Sequence, residues 1–265
     1  MVSRRIQNRV EAEQGRLVQQ IEARWIETAL RAYPAEELSP ILDIGSQTLA
    51  FRTQEKPYIQ ADLFDPLVAR GISIIHSDLQ EGEGIDISAN LLEPDGYAAI
   101  KATAPRTIFC NNVLEHVLDP AAFAGKCFSL LPPGGRLVIT VPKSYPHHRD
   151  PIDTMFRPTP EQISALIPEP HEILDSEIIN VGSYRDNLKK RPWIISRQIL
   201  RLPFPFLGWT KWKRSMKKFY WMIWPYRQSC VILQKPLNAA VDSHTDLPHH
   251  DRDPAAPSRE TPAPS

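Results

Sequence analysis

The chain has 265 residues, 42% of them hydrophobic, and a formal charge of zero. That length buries one sizeable core with room for an appendage, and the neutral average advertises neither an acidic nor a basic partner. Cys110, Cys127 and Cys230 lie in apolar runs without CxxC spacing, which excludes a disulfide framework and suits buried thiols.

Residues 1–33 are charged and free of proline, with Ile6, Val10, Leu17, Ile21, Trp25, Ile26 and Leu30 at roughly helical spacing, so a helix ending at Pro34 is expected. Basic, polar Met1–Arg9 leads into no apolar stretch, and no run is long enough to span a bilayer. The expectation is a cytoplasmic protein. Ile41–Ser46 reads as a strand running into a glycine turn. Tyr58–Asp62 reads as a second strand and Ile72–Asp78 as a third, each ending in an acid. Asp62 falls 19 residues beyond Asp43, where an acid can accept hydrogen bonds from a nucleotide ribose. The residues after Gly45 are Ser-Gln-Thr-Leu-Ala, not GxGxxG, and the missing pyrophosphate cradle argues against a dinucleotide.

Thr107–Cys110 is a short apolar strand that stops at Asn111 and Asn112. Asp119-Pro120 supplies a helix start, and Phe123, Cys127, Leu130 and Leu131 form one apolar stripe. Pro132-Pro133-Gly134-Gly135 breaks the helix, and Leu137–Val141 is apolar almost throughout. Strands without polar alternation are buried on both faces, which implies a parallel sheet with ligands at its carboxyl ends. Glu172–Asn180 and Gln228–Gln234 read as the last two strands.

ILDIGS, ADLF, HSDL, CNNVLEHVLDP and LLPPGGRLVITVP, in this order and spacing, resemble a class I S-adenosylmethionine-dependent methyltransferase of the type 11 kind, over about Leu38–Ile179. The resemblance implies an α/β, Rossmann-like, doubly wound, mostly parallel seven-stranded sheet and S-adenosyl-L-methionine as cofactor. It places Asp43, Gly45 and Ser46 at the methionine part, Asp62 with Leu63 at the ribose hydroxyls, and Asp78 with Leu79 at adenine. Asn111 and Asn112 fall near the sulfonium. Two departures stand out: Ser46-Gln47 replace further glycines, and the Leu63–Gly71 crossover is shorter than the usual dozen residues. Both leave open a degenerate fold that serves as a membrane-associated binding or scaffold protein without catalysis.

Two places offer a base for an oxygen or nitrogen nucleophile. One is Glu115-His116, where His116 is a base or a structural group. The similar segment of coenzyme-Q-type O-methyltransferases has a glutamate at the position of Asn112 and can hold a divalent ion, so no metal is expected here. The other is the loop from Tyr145 to Pro160, dense in His, Asp and Arg, with His147, His148 and Asp150 as base and orienting groups. Within it Arg157 binds an acidic substrate group or braces Asp153, and Thr159 with Gln162 forms a capping box.

Asn187–Lys235 holds twelve basic residues and no acid, leaving 19 basic against 31 acidic residues elsewhere, and 181–227 carries five of the six tryptophans. Residues 181–227 read as an α-helical insertion before the last strand, with helices over Trp193–Leu202 and Lys211–Ile223. It is a lid over the pocket or a peripheral contact with the inner membrane face, and nucleic acid ranks well below both. The expected division is a helix over 1–37, a core over 38–180 completed by a strand over 228–236, and a disordered tail over 237–265. The reading is a methyltransferase acting on an oxygen of a small molecule or a lipid-linked glycan. The sequence carries no signal for oligomeric state.

Overall fold

The computed structural model describes residues 20–147, 152–185, 212, 216 and 220–238. One sheet is built from β1 (Ile41–Ile44), β2 (Ile74–Asp78), β3 (Ile87–Ser88), β4 (Thr107–Asn111), β5 (Arg136–Ser144), β6 (Glu172–Gly182) and β7 (Tyr226–Gln234). The strand order is β3-β2-β1-β4-β5-β7-β6. β7 runs antiparallel to both neighbours, and the pairings among β1 to β5 are parallel. The doubly wound, mostly parallel seven-stranded sheet expected from the sequence is the one that forms.

Helices cover both faces. On one, α1 (20–30), α2 (Ala35–Leu38), α3 (Pro57–Ile59) and α4 (Asp65–Ala69) are present, with π turns Phe51–Glu55 and Gln60–Phe64 on either side of α3. Ala23, Ile26, Leu30, Leu63, Phe64 and Leu67 pack there on Ile41, Phe109, Val138 and Ile232. On the other, α5 (Pro94–Lys101), α6 (Pro120–Ser129) and α7 (Pro160–Ser164) set Ile100, Phe123, Phe128 and Ile163 against Leu42, Ile108, Ile139 and Val231. Alternate strand residues thus feed two separate cores, which explains strands that read as continuously apolar. Asp119 caps α6 by accepting from Ala122 N at 3.0 Å. Thr159 and Gln162 form the expected capping box on α7. All three cysteines are buried and free.

Two strand assignments change. Tyr58–Asp62 is helical, not a strand, so the strand beside β1 is Ile74–Asp78. Pro57 opens that helical stretch, and Tyr58, Leu63, Phe64 and Leu67 are buried at helical spacing, a pattern longer than the five-residue window that suggested a strand. The crossover from β1 to β2 is therefore long, and the short Leu63–Gly71 connection does not exist. The missed strand is β3, only two residues long, paired Ser77 with Ile87 and Asp78 with Ser88.

β6 and β7 pair from Glu172 with Gln234 to Gly182 with Tyr226, so 183–225 intervenes at the end of a hairpin. Trp193–Leu202 lies outside the described residues. Within Lys211–Ile223, Trp212, Met216 and 220–223 are helical.

Candidate active site

The carboxyl ends of β1, β2, β4 and β5 meet on one rim. At β1, Asp43 is buried and its Oδ2 lies 3.1 Å from His76 Nδ1. Gly45 turns the chain at φ +76°, and a Cβ there would lie 2.7 Å from Val113 Cγ2. The next two residues are not glycine, yet Gln47 also has positive φ, +57°. A left-handed conformation costs a non-glycine residue about 1–2 kcal/mol. The loop is held against that cost. Gly45 N and Ser46 N both donate to Ser77 O, at 2.8 and 3.1 Å. From beneath, the buried Arg52 guanidinium donates through Nη1 to Ser46 O at 3.1 Å and Gln47 O at 2.5 Å, and through Nη2 to Gly84 O at 2.7 Å.

Asp78 ends β2 beside this loop. Its Oδ2 accepts from Gln47 N at 2.8 Å and its Oδ1 from Gln80 N at 3.2 Å, leaving lone pairs on both oxygens. Leu79 next to it is 74% exposed. Asp62, expected at a strand end, sits on a helical turn instead. Its Oδ2 accepts from Gln20 Nε2 at 2.9 Å and Arg24 Nε at 3.2 Å, so it ties α1 to the crossover. Leu63 is buried in the core beneath α1.

At β4 and β5 the structure adds a residue that sequence reasoning missed. Glu22, on α1, is buried over the strand ends and accepts from Asn112 Nδ2 at 2.8 and 3.1 Å and from Thr140 Oγ1. Asn112 Oδ1 in turn accepts from Gln228 Nε2 at 2.6 Å, which brings β7 into the network. Thr140 Oγ1 also lies 3.3 Å from Asn111 Oδ1. Burial pushes the Glu22 carboxyl up, against the hydrogen bonds of Thr140 and Asn112. A signal did exist: Glu22 is in line with buried Ile26 and Leu30, four and eight residues on, an acid on an apolar stripe.

Glu115 follows β4 on a single 3-10 turn, Leu114–His116, and is 1% exposed. Its Oε2 has no hydrogen-bond partner. Burial raises its carboxyl to about 8, with Arg157 opposing and Glu22 and Asp153 adding to the rise. His116 donates from Nδ1 to the Ile152 carbonyl, and its Nε2 lies 3.8 Å from Glu115 Oε1. The loop after β5 is stitched to the same turn, since Thr154 N and Oγ1 donate to Glu115 O at 2.9 and 3.0 Å. Arg157 Nη2 donates to Asp153 Oδ2 at 2.7 Å, the internal bridge rather than a free substrate-binding arginine. His147 is exposed, and His148 and Asp150 lie outside the described residues. Among the described residues no group of three or more His, Cys, Asp or Glu side chains could hold a metal ion.

A family model described as a methyltransferase domain, Methyltransf_23, matches residues 17–171, more than half of the chain. The chain belongs to this family, and its strand order is that of a doubly wound, mostly parallel α/β sheet. The ubiquinone biosynthesis O-methyltransferases of Psychrobacter cryohalolentis and Psychrobacter arcticus are each 44% identical to it over 55 residues. That match takes in 19% of this chain and 21% of either relative, so the chain spans about a fifth of the length of the curated relatives it matches. Among solved structures, a putative sarcosine dimethylglycine methyltransferase from Galdieria sulphuraria is 15% identical, with 82% of this chain and 85% of that one covered and a TM-score of 0.44. A putative methyltransferase from Bacillus halodurans is 12% identical over 79% and 97%, with a TM-score of 0.45. These two are neighbours in outline, and the class of fold rests on this chain's own strand order. No helix among the described residues is long and apolar enough to cross a membrane.

Proposed function

We propose that the chain methylates a neutral hydroxyl of a small molecule or lipid-linked glycan, with Glu115 as proton acceptor. The observation that carries this reading is the buried Glu115 carboxyl, whose Oε2 has no partner, on the rim next to Asn112 and Glu22. An anionic acceptor needs no base, whereas a neutral hydroxyl needs its proton taken as its oxygen gains the methyl group. His116, with its side chain 24% exposed, links the buried carboxyl to solvent. The partial match to two O-methyltransferases points the same way. Exposed His147 then belongs to the acceptor-facing loop and not to proton transfer.

The cofactor supplies a methyl group on a positively charged sulfur. The residues present fit it. Asp78, with lone pairs remaining on both oxygens, replaces Asp62 as the acceptor for the ribose diol, because Asp78 ends the strand next to β1. Gly45, which has no room for a Cβ, and Ser46 border the methionine part, with Asp43, buried beside His76, on the strand that leads into them. Exposed Leu79 offers an apolar face to adenine, and Asn111 with Asn112 borders the sulfonium. Peripheral contact of 187–235 with anionic lipid completes the proposal. It is supported by the basic composition of that segment and by exposed Tyr220, Ile223 and Trp224 where it returns to β7.

The test is calorimetric titration with S-adenosylmethionine and its demethylated product. Wild type and Asp62→Ala are expected to bind and Asp78→Ala to lose at least tenfold in affinity. Equal binding by Asp78→Ala would overturn the assignment of the ribose site.

A further inference from the structure

We infer that Arg52 is a positioning residue for the cofactor, an internal strut that does for this loop what additional glycines do elsewhere; the inference rests on the cofactor site proposed above. The guanidinium is 2% exposed and reaches three backbone carbonyls, Ser46, Gln47 and Gly84. Two of these belong to the turn after β1 and the third to the connection between β2 and β3. Those two segments flank Asp78.

The same segments are joined at three further levels. Gln47 N donates to Asp78, Leu49 N to Glu83 O at 2.8 Å, and Gln80 Nε2 to Gln47 Oε1 at 3.0 Å. Arg52 is the cationic member of this stack. Gly84 is shaped to receive it: φ is +77°, and a Cβ there would lie 2.9 Å from Arg52 Nη2 and 2.6 Å from Leu49 Cβ. Packing alone would not select an arginine. The side chain is buried with its Nε unpartnered, and burial lowers its pKa against the pull of Asp43, Asp86 and Asp78. An aliphatic residue of similar length would fill the volume without that cost. The guanidinium's planar fork reaches carbonyls on two separate segments from two different nitrogens, whereas lysine has a single nitrogen to serve both and methionine has no donor.

Arg52 therefore sets the distance between the Gly45–Gln47 turn and the segment carrying Leu79, the two walls between which a ribose and its base would lie. It touches neither. Its effect passes through Gln47 N, whose position fixes one oxygen of Asp78.

The experiment compares wild type, Arg52→Lys, Arg52→Met and Gly84→Ala by calorimetric titration with S-adenosylhomocysteine, beside amide hydrogen exchange of the unliganded proteins. All are measured at a temperature where circular dichroism shows the folded state. The expected result is a loss of at least tenfold in affinity for Arg52→Met and Gly84→Ala and a smaller loss for Arg52→Lys. Faster exchange should be confined to amides 45–49 and 79–85. A lower melting temperature with unchanged affinity would overturn the inference and leave Arg52 a purely structural residue. If Arg52→Met does not fold, the same affinity criterion applied to Arg52→Lys and Gly84→Ala decides. Failure of wild type to bind would instead overturn the cofactor site itself, so the two failures are distinct.

Discussion

Replacing Glu115 with glutamine separates a catalytic base from a structural carboxyl without changing the shape of the side chain. In the folded protein the carboxyl stays protonated up to about 8, against an ordinary value of 4.5. Between those two pH values the folded state holds a proton that the unfolded state has released, so stability falls as pH rises. Each pH unit is worth about 1.36 kcal/mol, so the whole window amounts to about 5 kcal/mol. The contribution is fully present below pH 4.5, falls away through the window, and is lost above pH 8. Glutamine is neutral throughout and escapes the decline. The measurement is thermal unfolding of both proteins from pH 5 to pH 9, with Glu22, Asp153, Arg157 and His116, the charged and titratable neighbours, common to both. The gap should open in favour of glutamine by roughly 10–20 °C at the alkaline end, taking about 2–4 °C per kcal/mol for a domain of this size. Methyl transfer by wild type should rise with pH to about 8. In Glu115→Gln it should fall by about 10²–10⁴, with affinity for S-adenosylhomocysteine unchanged. Parallel melting curves across the pH range would refute the reasoning, because Glu115 would then not be a buried, neutral acid.

Two other outcomes follow from the geometry. Gly45→Ala puts a Cβ 2.7 Å from Val113 Cγ2 at φ +76°, and should destabilise the fold by about 1–3 kcal/mol and weaken cofactor binding, read by urea unfolding and calorimetry. The full chain should float with vesicles containing phosphatidylserine at low salt and release them at high salt. Replacing Trp221 and Trp224 with alanine should reduce flotation, and equal flotation with neutral vesicles would count against an electrostatic contact.

Much of the site was legible in the linear order of residues. The Ile41–Gly45 strand and turn, Asp119-Pro120 and Thr159 with Gln162 each carry their instruction within a few residues, because capping and turn chemistry are local. Tyr58–Asp62 misled for the opposite reason. Tyr and Ile favour strands over a short window, and the helical burial of Tyr58, Leu63, Phe64 and Leu67 shows only over ten residues. β3 left no signal, since two residues have no period.

By itself, the sequence determined the class of the fold, because apolar runs of strand length alternating with capped helices have few ways to bury both faces of a sheet. It also put Asn111, Asn112 and Glu115 at the carboxyl end of β4, where the strand and its turn now place them. Only the tertiary structure decided that Asp78, and not Asp62, stands beside β1, because strand neighbours are chosen by long-range pairing that a linear pattern does not encode. It alone brought Glu22 across 90 residues to Asn112 and Arg52 across 32 residues to Gly84. Those contacts exist because buried polar groups must find partners wherever the packed chain supplies them.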